Sequence, residues 1–124
     1  MMARRLLIAV VDDDESVRES LPDLLREFGF AVEPFSSALE FLASNAVSRT
    51  DCLILDVAMP GMSGPDLHKE LRRRGHDVPT VFITAHIDER IRPRVTEQGA
   101  AACLYKPFSQ AALLEALEVA LPKR

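Results

Sequence analysis

Five short apolar runs, Leu6–Val11, Ala31–Phe35, Cys52–Leu55, Val78–Thr84 and Ala101–Tyr105, alternate with longer stretches whose apolar residues recur at helical spacing. Runs of this length read as strands, and a helical crossover between one strand and the next makes the strands parallel, so the chain is confined to the α/β class. The first, third and fourth runs are apolar almost throughout, as a strand must be when helices cover both of its faces. The second contains Pro34, which has no N–H to give to a ladder, so this strand belongs at a sheet edge. At 124 residues the pattern fills one domain, residues 1–124, and excludes a two-domain enzyme.

The connecting stretches carry helix signals. The first helix is expected from near Asp14, with Val17, Leu21, Leu24, Leu25 and Phe28 on one face, ending at Gly29. Pro22 lies inside it and predicts a kink or a lost hydrogen bond. Ser37 and Glu40 form an S-x-x-E capping box for the second helix. The third starts after Ser63-Gly64 with Pro65 early and ends at Gly75. The fourth is expected somewhere in Asp88–Gln98 and contains Pro93. The fifth runs from a Ser109 cap to Leu121, with Leu113, Leu117 and Leu121 inward.

Charge narrows the function classes. Fifteen Lys and Arg against nineteen Asp and Glu leave a net charge of −4, the wrong sign for a surface that neutralises nucleic-acid phosphates. The first apolar run is shorter than the core of a signal peptide and ends in three acids, and no apolar stretch reaches the roughly 20 residues that cross a bilayer. Cys52 and Cys103 lack metal-type spacing. A cytoplasmic protein with reduced thiols is expected.

In an open parallel sheet the functional crevice lies beyond the carboxyl ends of the strands. There the sequence places Asp12, Asp13 and Asp14 after the first strand, Asp56 after the third, Thr84 at the end of the fourth and Lys106 after the fifth. Clustered carboxylates repel, and a hard divalent cation with oxygen ligands, Mg²⁺ in particular, relieves that repulsion. A carboxylate can also attack phosphorus, while a metal, a lysine and a hydroxyl stabilise the transferring charge. Taken singly these residues have plain roles: a strand-end acid caps a helix, Thr84 is a β-branched strand residue and Lys106 a solvated charge. It is their joint occurrence at four strand ends that points to a site.

Other features carry less. Gly61 and Gly64 in PGMSG fit neither G-x-G-x-x-G nor a P-loop and read as turn residues. His68, His76 and His86 do not cluster with the cysteines, which argues against zinc. Arg72-Arg73-Arg74 reads as a solvated helix end favourable to the macrodipole.

The segments VVDDDESVRESL, LILDVAMPGMSG, VFITAH and LYKPF, in this order and spacing over essentially the whole chain, make it resemble the receiver domains of two-component response regulators. MPGMSG with KPF is most similar to receivers of nitrogen-fixation-type transcription regulators, which carry a C-terminal DNA-binding output domain that is not among these residues. The resemblance implies a doubly wound, flavodoxin-like five-stranded parallel sheet of order 2-1-3-4-5 with five helices. It implies that Asp56 accepts a phosphoryl group from a phosphohistidine on a sensor histidine kinase or phosphotransfer protein. Asp13, Asp56 and the backbone carbonyl of Ala58 would hold Mg²⁺, with Asp12 acting mostly through metal-bound water. Thr84 and Lys106 would each bond a phosphoryl oxygen, and the Lys106–Pro107 peptide would be cis. A phosphorylation-dependent homodimer is a further implication.

Two departures from the family stand out. The switch aromatic three residues before the lysine is here Cys103, too small to report by swinging between rotamers, so the signal is expected from the fourth helix and the loop His86–Arg92. Pro22 and Pro93 sit where most receivers continue a helix. Two other functions remain to be distinguished: an aspartyl-nucleophile phosphatase, disfavoured because its second Asp position is Ala58, and a phosphate-independent pseudo-receiver, disfavoured because Asp12, Asp13, Asp56, Thr84 and Lys106 are all present.

Overall fold

Every apolar run forms a strand in the computed structural model, which describes residues 5–85 and 100–121. The strands are β1 Leu7–Val11, β2 Ala31–Phe35, β3 Cys52–Asp56, β4 Thr80–Thr84 and β5 Ala102–Tyr105. All pairs are parallel and the order is β2-β1-β3-β4-β5, so Pro34 does stand in an edge strand, opposite Val10. β4 begins two residues later than expected. Pro79 has no N–H to donate, although its carbonyl accepts from Leu53 N–H at 2.9 Å, and the Thr80 hydroxyl turns back to the Val78 carbonyl at 2.9 Å.

The described helices are α1 Glu15–Glu27, α2 Ala38–Ala43, α3 Gly64–Arg73 and α4 Gln110–Ala120. The helix expected within residues 88–98, together with Pro93 and His86, lies outside the described residues. Asp14, Ser37, Ser63 and Ser109 each accept a backbone N–H of the first turn through their side chains, a cap that contributes about 1 kcal/mol. Only half of the expected capping box forms. Glu40 N–H donates to Ser37 Oγ at 3.1 Å, but the Glu40 carboxylate accepts from the Ser36 hydroxyl at 2.7 Å instead of from Ser37 N–H. Pro22 leaves α1 uninterrupted; its ring is buried, and the missing N–H deprives only the Arg18 carbonyl of a helical donor. Gly29, at a φ of 96°, follows the helix in the left-handed conformation that ends it. Leu121 is the cap residue after α4 and half-buried, and Ala116 and Ala120 share the inward face with Leu113 and Leu117.

Strand periodicity divides the core between the two faces of the sheet. Ala9, Val11, Leu53, Leu55 and Phe82 pack with Phe41 of α2 and with Leu67 and Leu71 of α3. Ile8, Val10, Ile54, Val81 and Ile83 pack with Leu21 and Leu25 of α1 and with Leu113 and Leu117 of α4. His68 belongs to the first face, edge-on to Phe82 with ring centroids 5.6 Å apart. Neither cysteine is in a disulfide; burial in β3 pushes the Cys52 thiol up to about 12. Among the described residues no helix is long and apolar enough to cross a membrane.

Candidate functional site

The sheet register aligns the strand ends that the sequence marks out. Val11 pairs with Leu55, Asp56 with Ile83, and Thr84 with Tyr105. Asp12, Asp56, Thr84 and Lys106 therefore emerge along one edge, held by main-chain bonds from Asp12 N–H to Phe35 O at 3.1 Å and from Lys106 N–H to Thr84 O at 2.8 Å. Asp12 is wholly buried, Thr84 is 2% exposed and Asp56 is 5% exposed. Asp13 is exposed, as is Ala58 in the loop after β3.

Carboxylate oxygens of Asp12, Asp13 and Asp56 lie within 4.8 Å of one another. At that separation each pair of ionised groups repels by about 3 kcal/mol at an effective dielectric of about 20. Lys106 answers part of this, with Nζ 2.8 Å from Asp12 Oδ2 and 3.8 Å from Asp56 Oδ1. The approach to Asp12 Oδ2 is off the hydrogen-bond axis, so this buried oxygen has a charge partner but no aligned donor. When all three acids are ionised, three carboxylates and one ammonium still leave two net negative charges.

The proton equilibria follow from this crowding. Burial first, and then the Asp12 charge, push the Asp56 carboxyl up to about 7, against the pull of Lys106. Burial by itself would lower Lys106, but contact with Asp12 and the charges of Asp56 and Asp12 outweigh it and hold the ammonium above its ordinary value. Asp14 is turned away to its capping task. Its Oδ1 accepts from Ser16 N–H at 2.9 Å and from the Ser16 hydroxyl at 2.7 Å, bonds that hold its carboxyl below the ordinary value.

The donor set fits a hard divalent cation. It offers oxygens only, carries a double negative excess once all three acids are ionised, and includes a buried carboxylate oxygen lacking an aligned donor. The expected cis peptide between Lys106 and Pro107 is present.

Two supporting residues are not evident from the sequence. Gly64 reads there as a turn glycine, but its φ is not positive; a Cβ built there would stand 2.2 Å from the Asp56 carbonyl oxygen. The loop 57–63 folds back so that Gly64 N–H donates to Val57 O at 3.0 Å, and only a residue without a side chain permits that approach. The second is Arg18, whose Nη1 donates to the Asp12 carbonyl at 2.9 Å. The available signal was its place at the fourth residue of α1, from which a side chain leans back towards the helix start and hence towards the end of β1.

The family model described as the response regulator receiver domain matches residues 8–118. The response regulator protein TodT of Pseudomonas putida is 41% identical over 121 residues, covering 98% of this chain and 53% of that protein. The transcriptional regulatory protein FixJ of Azorhizobium caulinodans is 40% identical over 120 residues, covering 97% of this chain and 57% of that protein. The chain thus spans about half the length of these curated relatives. Among solved structures, that of the response regulator StyR superposes with a TM-score of 0.87 at 46% identity, covering 95% of this chain and 60% of that one. With a family match over nearly all of its length, relatives at such identity and the strand order the resemblance implied, the chain belongs to the receiver domains of two-component response regulators.

Proposed function

We propose that residues 1–124 form a single phosphoacceptor domain in which Asp56 takes a phosphoryl group, with Mg²⁺ held by Asp13, Asp56 and the Ala58 carbonyl and with Asp12 acting mostly through metal-bound water. The observation that carries this reading is the convergence of three carboxylate oxygens within 4.8 Å of one another, with the Lys106 ammonium 3.8 Å from Asp56. The donor is a phosphohistidine of a sensor histidine kinase or phosphotransfer protein, and the setting is the cytoplasm. Asp56 Oδ forms the new bond to phosphorus as the phosphorus–nitrogen bond breaks, its electron pair leaving with the donor imidazole. When bound, Mg²⁺ neutralises the excess negative charge and polarises the phosphoryl oxygens. Lys106, already beside Asp56, takes one equatorial oxygen, and the Thr84 hydroxyl at the end of β4 takes another.

The domain is a switch and not a turnover enzyme. The position two residues after Asp56, where an aspartyl-nucleophile phosphatase places its acid/base, is Ala58. The phosphoryl group instead biases a binding surface for a partner, a DNA-binding output domain or a second copy of this chain, in transcription regulation. Incubation with acetyl phosphate and Mg²⁺, read by intact mass, tests the assignment. One added phosphoryl group is expected in the wild type and none in Asp56→Asn; a retained mass increase in the variant removes Asp56 from its role.

A further inference from the structure

Three of the four polar groups of Asp12 are hydrogen-bonded, and the fourth, Oδ2, has a charge partner. Its N–H donates to Phe35 O at 3.1 Å, its Oδ1 accepts from Asp14 N–H at 2.9 Å, and its Oδ2 faces Lys106 at 2.8 Å. Its carbonyl accepts from Arg18 Nη1 at 2.9 Å. The carbonyl bond acts directly on the peptide between Asp12 and Asp13, which the Oδ1 bond to Asp14 N–H only brackets. Asp13 is exposed and brings its carboxylate beside that of Asp56, so its aim depends chiefly on the backbone that carries it. Arg18 comes from the fourth residue of α1, reaches back over the first turn and is half-buried. A guanidinium with a planar set of donors holds a carbonyl in a defined orientation better than a flexible ammonium does.

We infer that Arg18 is a positioning residue for the divalent cation: by gripping the Asp12 carbonyl it sets the Asp12–Asp13 peptide and thereby the direction of the Asp13 carboxylate. The inference rests on the cation site proposed above and adds to it a residue that touches neither cation nor phosphoryl group. It runs against simple electrostatics. A guanidinium beside an acidic site repels a cation, so a bystander Arg18 would weaken Mg²⁺ binding, and its removal would strengthen it. A positioning Arg18 has the opposite sign: its removal loosens the turn and weakens binding, as loss of residues that orient metal ligands does in general.

The test is isothermal titration of the metal-free protein with Mg²⁺ for wild type, Arg18→Ala and Arg18→Lys, alongside urea unfolding of each without metal to give the folded fraction. The expected result is a dissociation constant about tenfold higher in Arg18→Ala and intermediate in Arg18→Lys, with phosphorylation by acetyl phosphate recovering towards the wild-type rate at saturating Mg²⁺. A general loss of stability would not move the affinity of the folded fraction. Unchanged or tighter Mg²⁺ binding by folded Arg18→Ala overturns the inference while leaving the cation site in place. If Arg18→Ala does not fold, an affinity in Arg18→Lys equal to or tighter than wild type overturns it equally. A wild-type protein that binds no Mg²⁺ overturns the site itself, and the role of Arg18 with it.

Discussion

Substituting Gly64 with Ala places one methyl group against the backbone of the residue proposed as phosphoacceptor. The added Cβ would stand 2.2 Å from the Asp56 carbonyl oxygen, 3.0 Å from its carbonyl carbon and 3.1 Å from Val57 Cα. A carbon and an oxygen that are not bonded need about 3.3 Å, so the end of β3 and the start of α3 must separate by about 1 Å. Every atom in contact is backbone, so no rotamer change can absorb the shift. Two effects follow. Forcing an extra methyl into a packed site costs about 1–3 kcal/mol of stability, and displacing a reacting group by about 1 Å slows its reaction by about 100-fold. Urea unfolding measures the first, and the rate of phosphoryl incorporation from acetyl phosphate at saturating Mg²⁺ measures the second. The rate should fall more than the folded fraction does. Wild-type stability together with a wild-type rate in Gly64→Ala would refute the reasoning, because the contact would then be relieved at no cost.

Further expectations concern charge. The folded Asp56 carboxyl lies near 7, well above its unfolded value, so the native state binds more protons between about pH 4 and 7, and stability without metal should fall as pH rises through that window. Asp56→Asn should accordingly be more stable than wild type by about 2–4 kcal/mol near pH 8 and by less than about 1 kcal/mol near pH 4, as urea unfolding would show. A variant equally stable at both pH values would contradict the origin given for the shift. Mg²⁺ at about 100 times its dissociation constant should raise stability by about 2.7 kcal/mol, a gain that Asp13→Ala should lose. Lys106→Ala strips wholly buried Asp12 of its charge partner and should cost about 3 kcal/mol in metal-free protein at neutral pH. Cys103 lies opposite Phe82 and packs on the core face shared by α2 and α3, and it is expected to be a passive filler. Cys103→Ala should leave phosphorylation and partner binding intact, and loss of binding alone would give Cys103 an active part.

The sheet was legible because its determinants are local. Strand lengths follow from runs bounded by turn residues, and the edge position of β2 follows from Pro34. The carboxylates and Lys106 were legible for a topological reason, since a parallel sheet delivers the residue after each strand to the same edge. What escaped depends on approach in three dimensions. Gly64 looks like any turn glycine in sequence, and only the return of loop 57–63 onto β3 reveals its contact with Asp56. Glu40 has the spacing of a capping box, yet the neighbouring Ser36 hydroxyl offers a competing donor at 2.7 Å. Pro22 predicts a kink or a lost hydrogen bond; the bond to the Arg18 carbonyl is lost, and with the ring buried in the core α1 runs on without a break. The pull of Arg18 on the Asp12 carbonyl depends on a rotamer that spacing permits and does not specify.

An acyl phosphate on an aspartate is reduced by borohydride to an alcohol, which converts the modified residue to homoserine and marks its position permanently. Protein treated with acetyl phosphate and Mg²⁺, reduced in this way and mapped by peptide mass spectrometry, should carry homoserine at position 56 and at no other aspartate, and omission of Mg²⁺ should abolish the mark. Homoserine at position 12 or 13, or a phosphorylated protein with no homoserine at position 56, would contradict the assignment of Asp56 as the phosphoacceptor.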